Sequence, residues 1–451
     1  MSDSHNASTI IKSPLYAMAE SDQVNPDAHS LQDADAFRSH FRALLSASNL
    51  TVAEANATCH WDSEDAQKIN FEKAANHEWT KHNPPEEEVA ALRGRWQKFL
   101  ATQMIPYAPH KDRYKGRGIV IVAGNEHTLT RTRTVLRALK KLGSKLPVQV
   151  HYWGEEMDQK AKDRIAEIYP NSFFNDLADR SNNVFAAKWL STANYQYKTA
   201  ALVNSRFAET LLLDSDNIPI IDPEELFESP LYKKYGTLFW PDVARTRPNN
   251  PAWAITNTAC RENEYEQESG QLVVDNRRFF YHLQLAAFWS NVQGSYYTRI
   301  LLGDKDMFRF AWHALKTKYG FPPKWLTSVG TLHDDFYCGH TFAQHHPDGR
   351  VAFMHGGLLK TYPKPLLKWY RQNAGGVHHV YKRSRFDEQH QLNEEIEFYF
   401  DGNFWLPNRP EDMRASWCLS FRGVDHRPLE EIAPGFDKIF DEVGGYWMLD
   451  A

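Results

Sequence analysis

Two aspartates one residue apart, Asp214 and Asp216, directly follow a short apolar run at residues 210–213. The run predicts a strand that is buried on both faces, as in the middle of a parallel sheet. Two carboxylates at the end of such a strand are costly unless a positive charge lies between them. A divalent metal that holds a diphosphate is the common solution. The pattern therefore predicts a metal site, with two solvated aspartates in a surface turn as the alternative.

His355 ends a second apolar run at residues 351–354 and precedes Gly356 and Lys360. An imidazole nitrogen beside two carboxylates suits Mn²⁺ better than Ca²⁺, with Mg²⁺ as a further possibility. A hydrogen-bonded structural role is the alternative for His355. Gly356 and Lys360 are candidates for binding the ligand that carries this diphosphate, Lys360 through a phosphate oxygen. Lys198, on the predicted helix before the two aspartates, is a similar candidate, although a surface position is its simpler interpretation.

Residues 268–271 combine polar side chains with a glycine that permits close approach of a ligand. They precede a predicted strand at residues 272–274, so they form either a site or a loop that leads into a strand. We treat Glu268 and Gln271 as candidate catalytic residues. The candidate substrate-binding residues of this segment are Ser269 and Gly270.

Five further residues carry candidate roles. Trp240 could stack on a sugar ring and Asp242 could accept hydrogen bonds from sugar hydroxyls, although the core is the commoner location of a tryptophan. Asp304 opens a predicted helix, where it is either an N-cap or a catalytic carboxylate. Asp334 and Asp335 lie in a predicted loop. They are candidates for acceptor binding and for catalysis, respectively.

The segments around these residues predict an α/β fold with a mainly parallel central sheet flanked by helices, because strand and helix periodicities alternate. The predicted strands are residues 119–123, 148–153, 172–174 and 210–213, and the predicted helices are residues 130–142, 156–168 and 195–207. Right-handed crossovers place the ends of all parallel strands on one edge, where ligands bind. Asn125, Trp153 and Asp214 should therefore line one cleft, with Asn125 and Ser215 as candidate nucleotide-sugar contacts. No dinucleotide or P-loop glycine motif follows the first strand, which argues against a dehydrogenase and a P-loop NTPase.

The composition limits the remaining possibilities. The chain has 451 residues, a net charge of −5 and no long basic block, which argues against nucleic acid as a partner. It contains no apolar run of ~18 residues and no signal-peptide core, so we expect either a cytosolic protein or a lumenal fragment. The four cysteines allow two disulfides in any of three pairings, or four free thiols. His345 and His346 precede a Pro-Asp-Gly turn and are predicted to be exposed.

We predict four regions. They are a flexible stem at residues 1–34, an N-terminal helical extension at 35–115, a catalytic domain at 116–375 with a nucleotide-binding half (116–217) and an acceptor half (218–375), and a C-terminal layer packed on the core at 376–451.

Several segments, in the same order along the chain, resemble the fungal α-mannosyltransferases that add branches to outer-chain mannan in the Golgi. These segments are residues 209–219, 222–227, 237–242, 268–275, 336–341 and 353–355 with Lys360. The resemblance implies a GT-A-like glycosyltransferase fold with a Rossmann-like nucleotide-binding half, Mn²⁺, GDP-mannose as donor and a mannan or oligosaccharide acceptor. It makes Asp214, Asp216 and His355 the metal ligands. It also implies a type II membrane protein of the Golgi, whose anchor this chain lacks, so we expect the Golgi lumen or the secretory pathway rather than the cytosol.

The family's retention of anomeric configuration leaves two routes open. A carboxylate could attack the anomeric carbon from the far face, or the acceptor could enter on the leaving-group face while the β-phosphate takes its proton. The sequence marks no isolated carboxylate as a nucleophile, so we favour the second route, with the metal and Lys360 stabilising the departing GDP. The alternative functions are a retaining transferase that uses UDP-galactose or UDP-N-acetylglucosamine, a non-catalytic carbohydrate-binding protein on this scaffold, and a metal-dependent hydrolase.

Overall fold

The computed structural model describes residues 33–45, 49–59, 84–189, 194–261, 264–325, 327–333, 336–383, 396–401, 416–421 and 423–450. The helices are α1 (Ala34–Leu45), α2 (Val52–Ala57), α3 (Glu86–Thr102), α4 (Glu126–Leu142), α5 (Gln159–Ile168), α6 (Tyr197–Val203), α7 (Glu224–Glu228), α8 (Pro230–Tyr235), α9 (Ala252–Ile255), α10 (Asn276–Ala287), α11 (Gly294–Tyr297), α12 (Lys305–Ala314), α13 (Lys364–Asn373), α14 (Phe436–Glu442) and α15 (Trp447–Asp450). The strands are β1 (Arg117–Val122), β2 (Val148–Tyr152), β3 (Ser172–Asp176), β4 (Glu209–Leu213), β5 (Asn217–Pro219), β6 (Thr237–Arg245), β7 (Tyr265–Asp275), β8 (Thr327–His333), β9 (Phe336–His345), β10 (Val351–His355), β11 (Val380–Arg383), β12 (Ile396–Asp401), β13 (Ser416–Phe421) and β14 (Arg427–Pro428).

The first sheet has the strand order β3-β2-β1-β4-β7-β6. Strands β3, β2, β1 and β4 are parallel, and β7 pairs antiparallel with β4 and with β6. Strand β2 is buried throughout and β4 at all but its first residue, as expected for strands covered on both faces. The predicted α/β fold, with a mainly parallel central sheet flanked by helices, is confirmed.

The helices that follow β1 and β2 each begin directly after a residue whose side chain caps the helix. Helix α4 starts after Asn125, whose side-chain oxygen accepts a hydrogen bond from the Thr128 amide at 3.0 Å. It ends at Gly143, which has a φ of 75°. Helix α5 starts after Asp158, three residues later than the sequence predicts, because residues 154–156 form a separate 3₁₀ turn at the end of β2.

Strand β7 is longer than the sequence predicts. It extends from Tyr265 to Asp275, so residues 268–271 lie inside a strand and the prediction of a preceding loop is wrong. The antiparallel pairing of β7 with β4 places Gln271 opposite Leu213. This pairing brings the polar segment against the end of β4, where the two aspartates follow.

The second sheet is antiparallel and has the order β12-β13-β9-β8-β11-β14, and β10 pairs with both β9 and β5. The pairing of β10 with β5 sets His355 opposite Asn217. This short contact joins the two sheets at the carboxyl end of β4. Strand β8 ends at His333, which pairs with Phe336, and Asp334 and Asp335 lie outside the described residues.

The N-terminal helices belong to the main hydrophobic core. The rings of Phe37 and Tyr281 are 4.5 Å apart, and the Trp96 indole donates to the Ile255 carbonyl at 2.9 Å. Two disulfides join distant segments, Cys59 with Cys260 and Cys338 with Cys418. This is one of the three pairings that the cysteine count allowed.

Two histidines correct a prediction. His345 is fully buried and His346 is almost so, because β9 continues to His345, where it pairs with β10, and the Tyr381 hydroxyl of β11 lies 3.0 Å from the His345 Nε2. Their predicted exposure is therefore wrong. Among the residues that the structure describes, no helix is both long enough and apolar enough to cross a membrane.

Candidate active site

The turn after β4 is fixed by backbone contacts to β7. The Asp214 amide donates to the Gly270 carbonyl at 2.8 Å, and the Asn217 side chain donates to the same carbonyl at 2.8 Å. The Asp216 carbonyl accepts from the Gly356 amide at 3.3 Å. Asp216 is only 6% exposed, so the surface-turn alternative is wrong for this residue.

Three predicted metal ligands converge at this turn. Nε2 of His355 lies 3.2 Å from Oδ1 of Asp216 and 4.0 Å from Oδ2 of Asp214. One ligand atom from each of the three residues lies within 4.8 Å of the other two. Two carboxylate oxygens and one imidazole nitrogen form a donor set that fits Mn²⁺ or a similar divalent ion.

The charges at this cluster are coupled. Burial opposes protonation of His355, but the Glu268 and Asp216 carboxylates outweigh it and hold the pKa of His355 well above its usual value. Burial raises the pKa of Asp214, whereas Asp216, although its side chain is less exposed than that of Asp214, has a lowered pKa because His355 donates a hydrogen bond to it. The buried Oε2 of Glu268 has no hydrogen-bond partner among the described residues. A metal ion at this cluster would take the place of the proton that the carboxylates hold on His355, because only the neutral imidazole binds a metal.

Three cationic side chains surround the two aspartates. Nζ of Lys198 lies 2.7 Å from Oδ1 of Asp214, and this side chain is only 14% exposed, so the surface interpretation of Lys198 is wrong. Lys360 and Arg131 lie 3.8 Å and 3.7 Å from Oδ2 of Asp216. The sequence did not single out Arg131, because helix α4 carries several arginines and nothing in their spacing distinguishes the one that faces the site.

Asp304 lies at the N-cap position of α12, but its side chain makes no capping hydrogen bond. Its carboxylate instead lies 3.7 Å from Nζ of Lys198 and 3.4 Å from the Ser269 hydroxyl. Burial raises the pKa of Asp304 to about 6, and the nearby Asp214 adds to this effect. The structure therefore brings Asp304 and Ser269 next to Lys198, which bonds the predicted metal ligand Asp214.

Gly270 lies beside the metal-ligand cluster, whereas Asn125 has a capping role. A Cβ atom on Gly270 would lie 2.5 Å from Nδ1 of His355, so the absence of a side chain lets the imidazole approach β7. Asn125 follows β1 but uses its side-chain oxygen to cap α4. Ser215, between the two aspartates, is 8% exposed.

Two predicted roles need correction. Trp240 is fully buried, packs edge-on against Phe353 and donates its indole N–H to the His345 carbonyl at 2.8 Å. It cannot offer a face to a sugar, so the predicted stacking role is wrong. Gln271 is also fully buried and accepts a hydrogen bond from Asn217 at 2.5 Å. Its side chain therefore supports the turn from inside the protein and is not accessible to a substrate, which contradicts its predicted catalytic role.

A second buried charge cluster adjoins the site. Nζ of Lys305 lies 2.5 Å from Oδ2 of Asp242 and 2.7 Å from Oε2 of Glu266. The Asp242 carboxylate thus already forms an ion pair that holds the start of α12 against β6 and β7. Next to this pair, Arg309 bonds Asp306 at 2.8 Å. Because Lys305 directly follows Asp304, this cluster fixes the direction in which Asp304 faces.

The chain matches the model of the family described as "Mannosyltransferase putative" over residues 116–266 and 252–346, which together make up just over half of its length. The chain belongs to this mannosyltransferase family. The family resemblance predicted from the sequence is thereby confirmed. The matched region includes Lys198, Asp214, Asp216, Glu268 and Asp304 but ends before β10. The fold, through β10, adds His355 and Lys360 to these residues.

Curated relatives support this membership. The α-1,2-mannosyltransferase MNN21 of Candida albicans is 28% identical over 298 residues, which cover 54% of this chain and 44% of that protein. The α-1,2-mannosyltransferase MNN2 of the same organism is 26% identical over 404 residues, covering 74% of this chain and 64% of that protein. The α-1,2-mannosyltransferase MNN2 of Saccharomyces cerevisiae is 31% identical over 174 residues, which are 37% of this chain and 27% of that protein. The chain thus spans about half of the length of the curated relatives it matches.

Among solved structures, the chain is similar to the galactosyltransferase LgtC in complex with donor and acceptor sugar analogues. The TM-score is 0.34 and the sequence identity 14%, and the match covers 46% of this chain and 73% of LgtC.

Proposed function

We propose that this member of the mannosyltransferase family transfers mannose from GDP-mannose to a mannose-containing glycan, with an α-linkage and with retention of anomeric configuration. The observation that carries the proposal is the convergence of Asp214, Asp216 and His355 at the carboxyl end of β4, with their ligand atoms within 4.8 Å of one another. Carboxyl ends of parallel strands are where open α/β sheets bind nucleotides.

The chain's own residues suit a diphosphate. Asp214, Asp216 and His355 would hold Mn²⁺, with Mg²⁺ as the alternative, and the bound ion would supply charge stabilisation to the diphosphate leaving group. Lys360 is 49% exposed and Arg131 is 23% exposed at the side-chain level, so both can turn towards an entering phosphate. Lys198 stays bound to Asp214 and holds that carboxylate in place.

The described carboxylates favour direct entry of the acceptor on the leaving-group face. Glu268 faces His355 and accepts from the Gly270 amide at 2.7 Å, so its position is fixed by the metal-ligand cluster. Asp304 lies near Lys198 and Ser269. The test is alanine substitution of Asp304 followed by addition of azide. If azide restored turnover and gave a product of inverted configuration, a covalent route through Asp304 would replace this proposal.

We also propose that the protein works in the Golgi lumen or elsewhere in the secretory pathway. The pairs Cys59–Cys260 and Cys338–Cys418 support this location, because disulfides persist in oxidising compartments.

The proposed donor is tested by ligand binding to the folded protein. Thermal unfolding is followed with GDP, GDP-mannose, UDP and UDP-galactose, each with Mn²⁺ and with EDTA. A ligand present at 100 times its Kd stabilises the folded state by about 2.7 kcal/mol. We expect stabilisation by GDP and GDP-mannose that requires Mn²⁺, loss of this effect in Asp216→Asn, and no loss in the exposed control Asp425→Asn.

Turnover is then measured with GDP-mannose and a mannose oligosaccharide, and the anomeric configuration of the product is read by NMR. An α-linked product supports the proposal. If only UDP and UDP-galactose stabilised the protein in the presence of Mn²⁺, the alternative of a transferase that uses a UDP sugar as donor would be favoured. Oligosaccharide binding that ignores Mn²⁺, without turnover, would favour the carbohydrate-binding alternative.

A further inference from the structure

A solvent-exposed carboxylate, which makes no hydrogen bond to another side chain among the described residues, lies two strands away from the metal-ligand cluster. Glu156 ends the 3₁₀ turn that follows β2, and its side chain packs against Gly124 at the end of β1. A Cβ atom on Gly124 would overlap with the Glu156 carboxylate, so the glycine makes room for this carboxylate at the edge of the sheet. The neighbouring Asp176 differs, because its Oδ1 already accepts from the Gly154 and Ala178 amides at 2.7 Å and 2.8 Å.

An unpartnered hydroxyl lies near this carboxylate. Tyr197 is only 4% exposed, and its hydroxyl has no hydrogen-bond partner within the described part of the chain. Its ring stacks on Trp153, with centroids 5.2 Å apart and planes 3° from parallel. Burial and then the negative charge of Glu156 raise the pKa of Tyr197. Buried hydroxyls are usually hydrogen-bonded, so the Tyr197 hydroxyl has a free donor.

These groups lie at the same edge of the first sheet as the metal-ligand cluster, because β1, β2 and β4 are parallel and Gly124, Trp153 and Asp214 each follow the end of one of them. Lys198, which follows Tyr197 on α6, bonds Asp214. In the strand order, β2 is two positions from β4, which is an offset of about 10 Å at the usual strand spacing. This offset is comparable with the distance between the β-phosphate and the base of an extended nucleoside diphosphate.

We propose that Glu156 recognises a guanine base in the donor nucleotide, by accepting hydrogen bonds from N1–H and from the 2-amino group, while the Tyr197 hydroxyl donates to O6. The inference rests on the proposed function, since it requires a nucleotide sugar at Asp214 and Asp216. Guanine presents two adjacent donors that match the two oxygens of a carboxylate. Uracil presents a single N–H between two carbonyl oxygens, which a carboxylate repels. A polar site of this kind discriminates strongly against bases that leave it unpaired.

The test is calorimetric binding of GDP, IDP and UDP to the full chain with saturating Mn²⁺. IDP carries guanine's base without the 2-amino group. We expect Glu156→Gln to weaken GDP binding by about 10- to 100-fold, the range for hydrogen bonds to a charged group, and to leave UDP binding unchanged. Wild type should bind IDP more weakly than GDP, and Tyr197→Phe should weaken GDP binding by about 2- to 10-fold. Glu155→Gln, an exposed neighbour in the same turn, should change none of the three affinities.

The outcomes separate this inference from the proposed function. Unchanged GDP affinity in a folded Glu156→Gln variant overturns the role of Glu156. Equal loss for GDP and UDP also overturns it, because Glu156 would then bind the ribose, which the two share. If wild type binds UDP with Mn²⁺ but not GDP, the guanine assignment fails while a nucleotide-sugar transferase survives. If no nucleoside diphosphate binds with Mn²⁺, the proposed function itself fails. Comparison of IDP with GDP on wild type needs no variant and stands even if Glu156→Gln does not fold.

Discussion

Nδ1 of His355 lies 3.2 Å from Oε1 of Glu268, while Nε2 of the same ring lies 3.2 Å from Oδ1 of Asp216. The imidazole therefore lies between the carboxylate of Asp216, a proposed metal ligand, and the carboxylate of Glu268, which is not a proposed ligand. In metal sites such an outer carboxylate fixes the orientation of the ring and raises its basicity as a ligand. Glu268 is thus a positioning residue for His355.

Glu268→Gln should weaken Mn²⁺ binding by about 10- to 100-fold, as for outer carboxylates in known metal sites. Free Mn²⁺ measured by electron paramagnetic resonance during titration gives the affinity directly, without turnover. Glu266→Gln is the matched control, because it lies two residues earlier on β7 and its carboxylate bonds Lys305. That variant should lose stability and keep its Mn²⁺ affinity. Equal Mn²⁺ affinity in wild type and Glu268→Gln would contradict the positioning role.

Gly270→Ala should displace His355. The new Cβ atom would lie 2.5 Å from Nδ1 of the imidazole, closer than real contacts allow, so the ring must move away from Asp216. We expect a loss of Mn²⁺-dependent stabilisation in thermal unfolding. Gly357→Ala is the control in the loop after β10, since a Cβ atom there meets no heavy atom within 4 Å and should leave the response to Mn²⁺ intact. An undiminished Mn²⁺ response in Gly270→Ala would show that the ring position does not matter for the ion.

The local sequence was sufficient to predict the first half of the fold. Two patterns made this possible, the apolar run before Asp214 and the helical spacing of apolar residues over 130–142. Both arise because the side chains concerned are buried in or against one sheet, so the spacing of apolar residues predicts the element. The start of β7 was missed because its polar residues, among them Glu266 and Glu268, are buried in ion pairs. Such a strand lacks the alternation of apolar and polar residues from which a half-buried strand is predicted.

The site was only partly predictable for a related reason. Asp214 and Asp216 are adjacent in sequence, so their pattern is local, and His355 follows a strand that could be recognised. The positions of Lys198 and Arg131 depend on how two helices pack over the sheet, which residue types do not specify. The burial of Trp240 follows from the pairing of β6 with β7 and from its contact with Phe353, which are long-range contacts.

Lys305→Met should destabilise the protein by about 3–5 kcal/mol, because it leaves the buried carboxylates of Asp242 and Glu266 without their cation. The side chains of these three residues are 11%, 15% and 12% exposed. Urea denaturation measures the change in the free energy of unfolding. Lys233→Met is the control, since Lys233 pairs with Glu228 at 2.7 Å but both side chains are more than half exposed. It should cost about 0–1 kcal/mol. A similar loss of unfolding free energy in both variants would contradict the inference that Lys305 neutralises two buried carboxylates.

His151 should make the folded state sensitive to mild acid. It is fully buried in β2, and its Nε2 has no hydrogen-bond partner among the residues described. Burial, and then the positive charge of Arg113, lower the pKa of His151 to about 3. A histidine in the unfolded chain has a pKa of about 6.5. Between these two values the unfolded state binds a proton that the folded state does not, so stability is present above pH ~6.5 and falls as the pH falls, by about 1.4 kcal/mol per pH unit.

The measurement compares the free energy of unfolding of wild type and His151→Gln at pH 7 and pH 5. Other buried histidines affect both proteins equally, so the difference between the two isolates His151. We expect this difference to shift by about 2 kcal/mol in favour of the variant at pH 5, the value that the slope gives between pH 6.5 and pH 5. The substitution His426→Gln, at an exposed histidine, serves as the control. If the difference in unfolding free energy between His151→Gln and wild type did not depend on pH, His151 would be protonated as readily in the folded as in the unfolded protein, which contradicts the prediction.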